Sequence, residues 1–266
     1  MAILMAALTG LLIGSVMGLT GAGGGILAVP ALVYGQGWSM QQAMPVALLA
    51  VTAGAVAGAA EGFSKGLVRY RAAMLMAAAA MIPTWTGVWL AGQLPQSTLM
   101  LLFAAILIGV ALRLWRQLSQ PACDEEQRAL ATINSATGRF VWNWKTGGLM
   151  AGIGSLAGLM TGLLGVGGGF IIVPMLRHFT NLTIHGAIAT SLFFIAMVGT
   201  LGVGSALAHG ASLPLAFSGG FVIATIAGML AGRRLVHHLP ARRVQQGFAL
   251  MLSLVALSLC WRALGS

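Results

Sequence analysis

The sequence predicts an all-α polytopic membrane protein built from two inverted-topology repeats, each a Gly-rich broken-helix hairpin followed by three transmembrane helices. Three observations carry that prediction. Of the 266 residues, 58% are hydrophobic and only 7% charged, whereas a soluble domain uses about 25% charged residues to cover its surface. Apolar stretches near the ~20 residues that cross a bilayer recur along the whole chain. And the chain is close to one unit written twice, at an offset of 144 residues.

The apolar stretches are 2–20, 43–60, 72–92, 98–112, 148–164, 186–208, 213–232 and 244–261. No basic residue precedes the first, and no small-residue cleavage site leads from it to a polar region, so it reads as a structural helix rather than a leader. It runs into GLTGAGGGILAVP, which packs five glycines into the eight residues 18–25 before Pro30. Glycine gives up more backbone freedom on ordering than any other residue, so this cluster breaks the helix. A break at membrane depth is tolerated only where protein or a hydrated cavity covers the freed backbone groups. Residues 2–35 are therefore expected to form a hairpin of two helices bent at the glycines.

Shifting by 144 residues lays GLTGAGGGILAVPAL (18–32) on GLLGVGGGFIIVPML (162–176), with nine of fifteen positions identical. The match continues through Ala43 and Ala187, Leu48 and Leu192, Gly58 and Gly202, and Gly66 and Gly210. One inserted residue later, Gly87 meets Gly232, Leu94-Pro95 meets Leu239-Pro240, and Phe103-Ala104 meets Phe248-Ala249. This gives a first transmembrane repeat over 1–117, a polar linker over 118–147 and a second repeat over 148–266. The linker holds three of the four acidic residues and is too polar to cross a membrane.

Charge decides how the halves are oriented. Four simple crossings per half would split the 14 Lys and Arg nine to five between the two sides. If 2–35 returns to the side it came from, each half makes an odd number of crossings and the second is inverted. Thirteen of the 14 basic residues then share one side, leaving only Arg262. Basic residues accumulate on cytoplasmic loops, so the inverted arrangement is preferred. It puts the linker in the cytoplasm and both termini on the opposite side. Inverted repeats with interrupted helices are the architecture of secondary transporters, with substrate held near the midplane where the repeats meet.

The glycine turns suggest what is held. After Gly25 and Gly169 the chain restarts as a short helix, and a helix N-terminus carries free N–H groups and about half a positive charge. Glycine removes the side chains that would keep a ligand away, giving an anion site without a costly buried Lys or Arg. The candidate substrate-binding residues are Thr20, Gly21, Gly23, Gly24 and Gly25 in the first half, and Gly165, Gly167, Gly168 and Gly169 in the second. Thr190 and Ser191 follow one turn into the next helix, where two hydroxyls could face the cavity, and Thr161 precedes the second turn. Their first-half counterparts, Val46 and Ala47, carry no hydroxyl, so the site is asymmetric. Gly10, Gly14, Gly54, Gly58 and Gly228 read instead as close-packing positions between helices.

Other chemistries find little support. Cys123 and Cys260 give no disulfide framework and no metal-ligand spacing. No Lys-Ser or Lys-Thr follows the glycines, which excludes a soluble-type phosphate loop. The net charge of +10 is spread over several loops rather than concentrated as a nucleic-acid surface. Ser205 and His209 stand at i, i+4, but no third residue orients the histidine, so catalysis is not expected. Glu61 is the one acid outside the linker, with Lys65 at i+4 as an expected surface partner.

The duplicated G-x-x-G-x-G-G-G-x-x-x-x-P element, Gly18 to Pro30 and Gly162 to Pro174, resembles the sulfite exporter TauE/SafE family of membrane permeases. So do Ala-Thr-Ser-Leu at 189–192 and Leu-Pro before the last helix of each half. The resemblance covers nearly the whole chain outside the linker. It implies export of small sulfur-containing anions, such as sulfite or organosulfonates like sulfoacetate, with the glycine turns Gly21–Gly25 and Gly165–Gly169 and the following Thr190 and Ser191 as binding elements. The first half departs from that pattern at Pro45-Val46-Ala47.

The expected function is thus a secondary transporter in the inner membrane, binding a small anion at broken-helix N-termini and working by alternating access. A carboxylate carrier and an anion channel are the alternatives. The expected partners are the anion, the lipid bilayer and protons as a candidate coupling ion. No nucleic acid, metal or cofactor is called for, and an oligomer is compatible with the sequence.

Overall fold

The computed structural model describes residues 2–20, 24–119, 133–134, 139–140, 143–211, 213–235 and 241–264. Among them lie ten α-helices: α1 (Ala2–Thr20), α2 (Ala28–Gln36), α3 (Met40–Ser64), α4 (Tyr70–Gln93), α5 (Gln96–Ser119), α6 (Trp144–Leu164), α7 (Gly169–Phe179), α8 (Ile184–Ala208), α9 (Leu215–Leu235) and α10 (Ala241–Leu264). A 3-10 turn, Gly24–Leu27, leads into α2. In the linker, two-residue strands pair Ile133 with Phe140 and Asn134 with Arg139. Among the described residues, seven helices are long and apolar enough to cross a membrane: α3, α4, α5, α6, α8, α9 and α10. The protein is a multi-pass, all-helical membrane protein.

The helices begin and end where local chemistry directs. Ser39 caps α3 by accepting from the Gln42 N–H at 3.3 Å, and the Gln42 side chain accepts from the Ser39 N–H in return. Thr183, at the matching position of the duplication, caps α8 by accepting from the Gly186 N–H at 3.2 Å. Each capped helix runs 25 residues, about 37 Å at ~1.5 Å per residue and ample for a ~30 Å hydrocarbon core. By contrast α2 and α7 have only 9 and 11 residues, about 14 and 16 Å long, roughly half that thickness.

The duplication is repeated in the packing. On one side of the bundle, Gly10, Gly14 and Gly18 of α1 lie against Phe221, Thr225 and Met229 of α9. On the other, Gly154, Gly158 and Gly162 of α6 lie against Met76, Ala80 and Thr84 of α4. Both series ascend together, so each pair of helices runs in the same direction. Every contact maps onto its counterpart by the offset seen in the sequence. The glycines are required here because backbone meets backbone: a Cβ on Gly10 would sit 2.7 Å from the Phe221 carbonyl oxygen. This is the close approach that small residues permit between membrane helices. Gly14, Gly58 and Gly228 are likewise filled against their neighbours, and Gly54 faces the Met17 thioether.

A few long-range contacts show which chain positions share an end of the bundle. Trp38 packs on Phe217 with ring centroids 4.9 Å apart, the Gln41 amide donates to the Leu94 carbonyl at 3.2 Å, and Trp85 meets His209 at 5.1 Å. The finish of α2, the starts of α3 and α9, and the finishes of α4 and α8 therefore gather at one end. At the other, Glu61 pairs with Arg233, and the Thr190 hydroxyl accepts from the Arg69 N–H. Lys65, Arg69, Arg71, Arg233 and Arg234 collect there, and we call it the basic end. Since α1 runs with α9 and α2 ends near Phe217, the first hairpin leaves and regains the end opposite. The second, α6 and α7, leaves and regains the basic end.

The core between these helices is fully buried, with Phe103, Phe194, Phe221, Ile13, Met17, Ile26 and Leu32 among its largest side chains. Outward faces carry residues such as Ile82 and Leu257, 78% and 71% exposed. In water such surface would be a defect; against lipid tails it costs nothing. The indoles of Trp85, Trp89, Trp115, Trp144 and Trp261 are also exposed, as side chains at the membrane–water interface are.

Candidate functional site

The second glycine turn is built from three left-handed glycines. Gly165 (φ +67°) ends α6, its N–H donating to the Thr161 carbonyl at 2.9 Å, while Gly167 (φ +82°) and Gly168 (φ +67°) lead into α7. Side chains other than glycine rarely adopt this backbone region. Gly169 opens α7, whose first internal hydrogen bonds run from the Ile171 and Ile172 N–H groups to the Gly168 carbonyl. The N–H groups of Gly169 and Phe170 thus precede the helical ladder, as the first turn of any helix requires. In the first turn, Gly24 sits on Met17 and is buried with Gly25. Gly21 and Gly23 lie outside the described residues.

The two turns meet at the centre of the bundle. A Cβ on Gly25 would lie 2.9 Å from the Val166 carbonyl oxygen and 3.0 Å from the Val51 side chain. One on Gly167 would lie 3.1 Å from the same valine and 2.9 Å from Ile195. Val51 on α3 and Ile195 on α8 occupy matching positions of the duplication, so the second turn is clasped by the long helices of both halves, while Gly25 of the first packs on Val51.

From the end opposite the basic one, a cavity of about 210 Å³ reaches this turn. Its walls are Gln41, Met44, Pro45 and Leu48 of α3, Val88 of α4, and Gly202 and Ala206 of α8. His209, Gly210 and Ala211 form its rim, and Gly162 and Gly165 its floor. Pro45 has no N–H, so the Gln41 carbonyl lacks its usual helical donor at the wall. Among the described residues no carboxylate lines the cavity, and His209 is the one titratable side chain in its lining. The His209 Nδ1–H donates to the Ser205 carbonyl at 2.8 Å, since a carbonyl can only accept. The Ser205–His209 pair is therefore a main-chain contact, with the serine hydroxyl not engaged by the ring.

The hydroxyls singled out by the sequence are committed elsewhere. Thr20 donates to the Val16 carbonyl at 2.8 Å, Thr161 to Ala157 at 2.7 Å, and Ser191 to Ile188 at 2.8 Å. Thr190 accepts the Arg69 N–H at 3.0 Å near the basic end. None of the four lines the cavity. Of the described sequence-derived site residues, Gly165 alone does so, while Gly24, Gly25, Gly167, Gly168 and Gly169 are buried around it.

The sequence reading weighed His209 only as a partner of Ser205, and gave no place at the cavity to Gln41 or to the neighbouring Thr84. A Cβ on Gly162 would strike the Thr84 carbonyl, and one on Gly202 would lie 3.6 Å from its methyl. The Thr84 hydroxyl is buried without a partner, which is costly unless something visits it. The signal was present: Thr84 follows Pro83 in the apolar run 72–92, and Gln41 precedes Pro45 by one helical turn.

Comparison with known proteins places this architecture. Residues 6–259 match the family described as Sulfite exporter TauE/SafE. A probable membrane transporter protein of Xylella fastidiosa (strain 9a5c) is 28% identical over 264 residues, 97% of this chain and 95% of the relative. One of Haemophilus influenzae is 26% identical over 275 residues, covering 97% of each chain. No solved structure matches the chain. With the family matched along nearly its whole length, the chain belongs to the sulfite exporter TauE/SafE family of membrane transporters.

Proposed function

We propose that this protein is a secondary transporter, acting as an exporter, of small sulfur-containing anions such as sulfite or sulfoacetate-like organosulfonates. The observation that carries the reading is the meeting of the two glycine turns, Gly25 against Val166, at the bottom of a cavity open to one end. At ~30 Å³ per water, about 210 Å³ holds roughly seven waters, or a small oxyanion with part of its hydration shell. The uncharged lining repels no anion, and the N-terminal N–H groups of α7 supply positive potential without a buried cation.

In this reading the repeats, 1–117 and 148–266, are inverted in the inner membrane and rock against one another around the turns. The basic end faces the cytoplasm together with the 118–147 linker, in accord with the positive-inside rule. The described cations Lys65, Arg69, Arg71, Arg233 and Arg234 fall on that side.

The test is flux into proteoliposomes of purified protein, with sulfite, sulfoacetate and thiosulfate beside chloride and acetate, with and without a pH gradient. Saturable flux of a sulfur anion, abolished by Gly168→Leu, is expected; dependence on the gradient identifies proton coupling. Saturable acetate flux with no sulfur-anion flux would assign a carboxylate carrier. Non-saturating chloride conductance would assign a channel.

A further inference from the structure

The duplication gives the open cavity a twin at the basic end, and the twin is shut. Val88, on the wall of the cavity, corresponds to Arg233; Pro45 and Ala206 correspond to Ala189 and Gly62. At the open end Pro45 and Ala206 stand across the cavity, whereas a Cβ on Gly62 would lie 3.0 Å from the Ala189 methyl. The space that Val88 leaves vacant is filled in the twin by the Arg233 side chain. Its Nε lies 2.9 Å from Glu61 Oε2, and its Nη1 donates to the Gly58 carbonyl at 2.8 Å. The other carboxylate oxygen of Glu61 meets Lys65 Nζ at 2.6 Å. The arginine side chain is only 16% exposed.

We propose that the Glu61–Arg233 pair is the latch of the basic end, and that the Glu61 carboxylate stands where a transported oxyanion meets Arg233 once that end opens. The second part rests on the anion-carrier reading above. A guanidinium offers a planar fork of donors that fits a carboxylate and a sulfite or sulfonate head group alike. Glu61 and the anion then compete for one cation, so an anion arriving from the cytoplasm itself loosens the closed end. Arg233 belongs to α9, which packs along α1 toward the first glycine turn, so the released guanidinium lies on the route to that turn. No bond is made or broken in the exchange; one anionic partner replaces another.

The experiment uses full-length protein with Cys123→Ser and Cys260→Ser, carrying either Ala206→Cys in the open cavity or Ala189→Cys at the closed twin. Labelling by a small thiol reagent reports which end is open, independently of any substrate. With Glu61→Gln, and equally with Arg233→Gln, labelling at 189 is expected to quicken about tenfold, the factor that ~1.4 kcal/mol represents, and labelling at 206 to slow. Lys65→Gln, on the half-exposed arm of the cluster, leaves both rates unchanged. The swapped pair Glu61→Arg with Arg233→Glu restores the original labelling but not sulfite uptake from the cytoplasmic side. Unchanged labelling in both single variants overturns the latch. Full recovery of uptake in the swapped pair overturns the role of Arg233 as anion receiver. Shifted labelling in a protein whose parent moves no sulfur anion upholds the latch and overturns the carrier reading instead.

Discussion

Replacing Gly165 by alanine tests whether the second turn is a strained backbone feature at the floor of the cavity. At φ +67° an L-residue is held in the left-handed region, which costs about 1–2 kcal/mol. The new methyl would also lie 2.8 Å from the Met44 carbonyl oxygen and 2.9 Å from its Cα. Backbone of a packed helix cannot step aside as a side chain can, and such overpacking costs about 1–3 kcal/mol. The expected sum is about 2–5 kcal/mol. Gly210 is the internal control: it shares the cavity and a positive φ of +84°, but a Cβ there meets nothing within 4 Å. Gly210→Ala therefore carries only the conformational cost, about 1–2 kcal/mol. Thermal loss of helical circular dichroism from detergent-solubilised protein ranks the two, and anion flux in liposomes follows the surviving fold. Equal melting of both variants would refute the argument that α3 backbone confines the turn.

Thr84→Val exchanges a buried, unpartnered hydroxyl for a methyl of similar size. Stability is expected to hold or rise by about 1 kcal/mol, because an unmet polar group is removed, while anion flux falls; unaltered flux would take Thr84 out of the transport path. Single cysteines at 94, 210 and 238 check the inversion with a membrane-impermeant reagent on intact cells: 94 and 210 are expected to label from outside, and 238 only after permeabilisation. Opposite sidedness for 94 and 210 would sink the inverted arrangement; position 238 lies outside the described residues.

Much of the fold was legible because the membrane imposes simple rules. Apolar length marked the spanning helices, and the glycine clusters marked the breaks described at Gly24–Leu27 and at 165–169, since neither feature depends on distant residues. The site was less legible. Thr190 and Ser191 read as cavity hydroxyls from their place in α8, yet their bonds go to Arg69 and Ile188. A hydroxyl in a membrane helix takes the nearest backbone partner, and which one it takes depends on packing around the helix. Glu61 showed its i+4 partner Lys65 in the sequence but not Arg233, which joins it from another helix of the other repeat. His209 stood out only beside Ser205 and Gln41 not at all, because their shared place at the cavity exists only once α3 and α8 are set side by side.

The same limit has a deeper source. A duplicated sequence writes both ends of the molecule in nearly the same letters, so the pattern that reveals the architecture cannot say which end is open. Only the positions where the copies differ can break the tie. Around the cavity seven lining positions differ: Gln41 against His185, Met44 against Ile188, Pro45 against Ala189, Val88 against Arg233, Ala206 against Gly62, His209 against Lys65 and Ala211 against Leu67. Two of the seven exchanges, Val88 to Arg233 and His209 to Lys65, place a permanent cation at the basic end, and none does so at the other. An end that holds a guanidinium needs an anion beside it, and while no substrate is present Glu61 provides one. The open end has no such charge to neutralise, so nothing draws its walls together. In the inverted-repeat reading proposed above, the difference between the two ends thus follows from the side chains the copies do not share. Exchanging Val88 and Arg233 between the copies, with Glu61 left in place, would move the demand for an anion to the opposite end and with it the preferred opening.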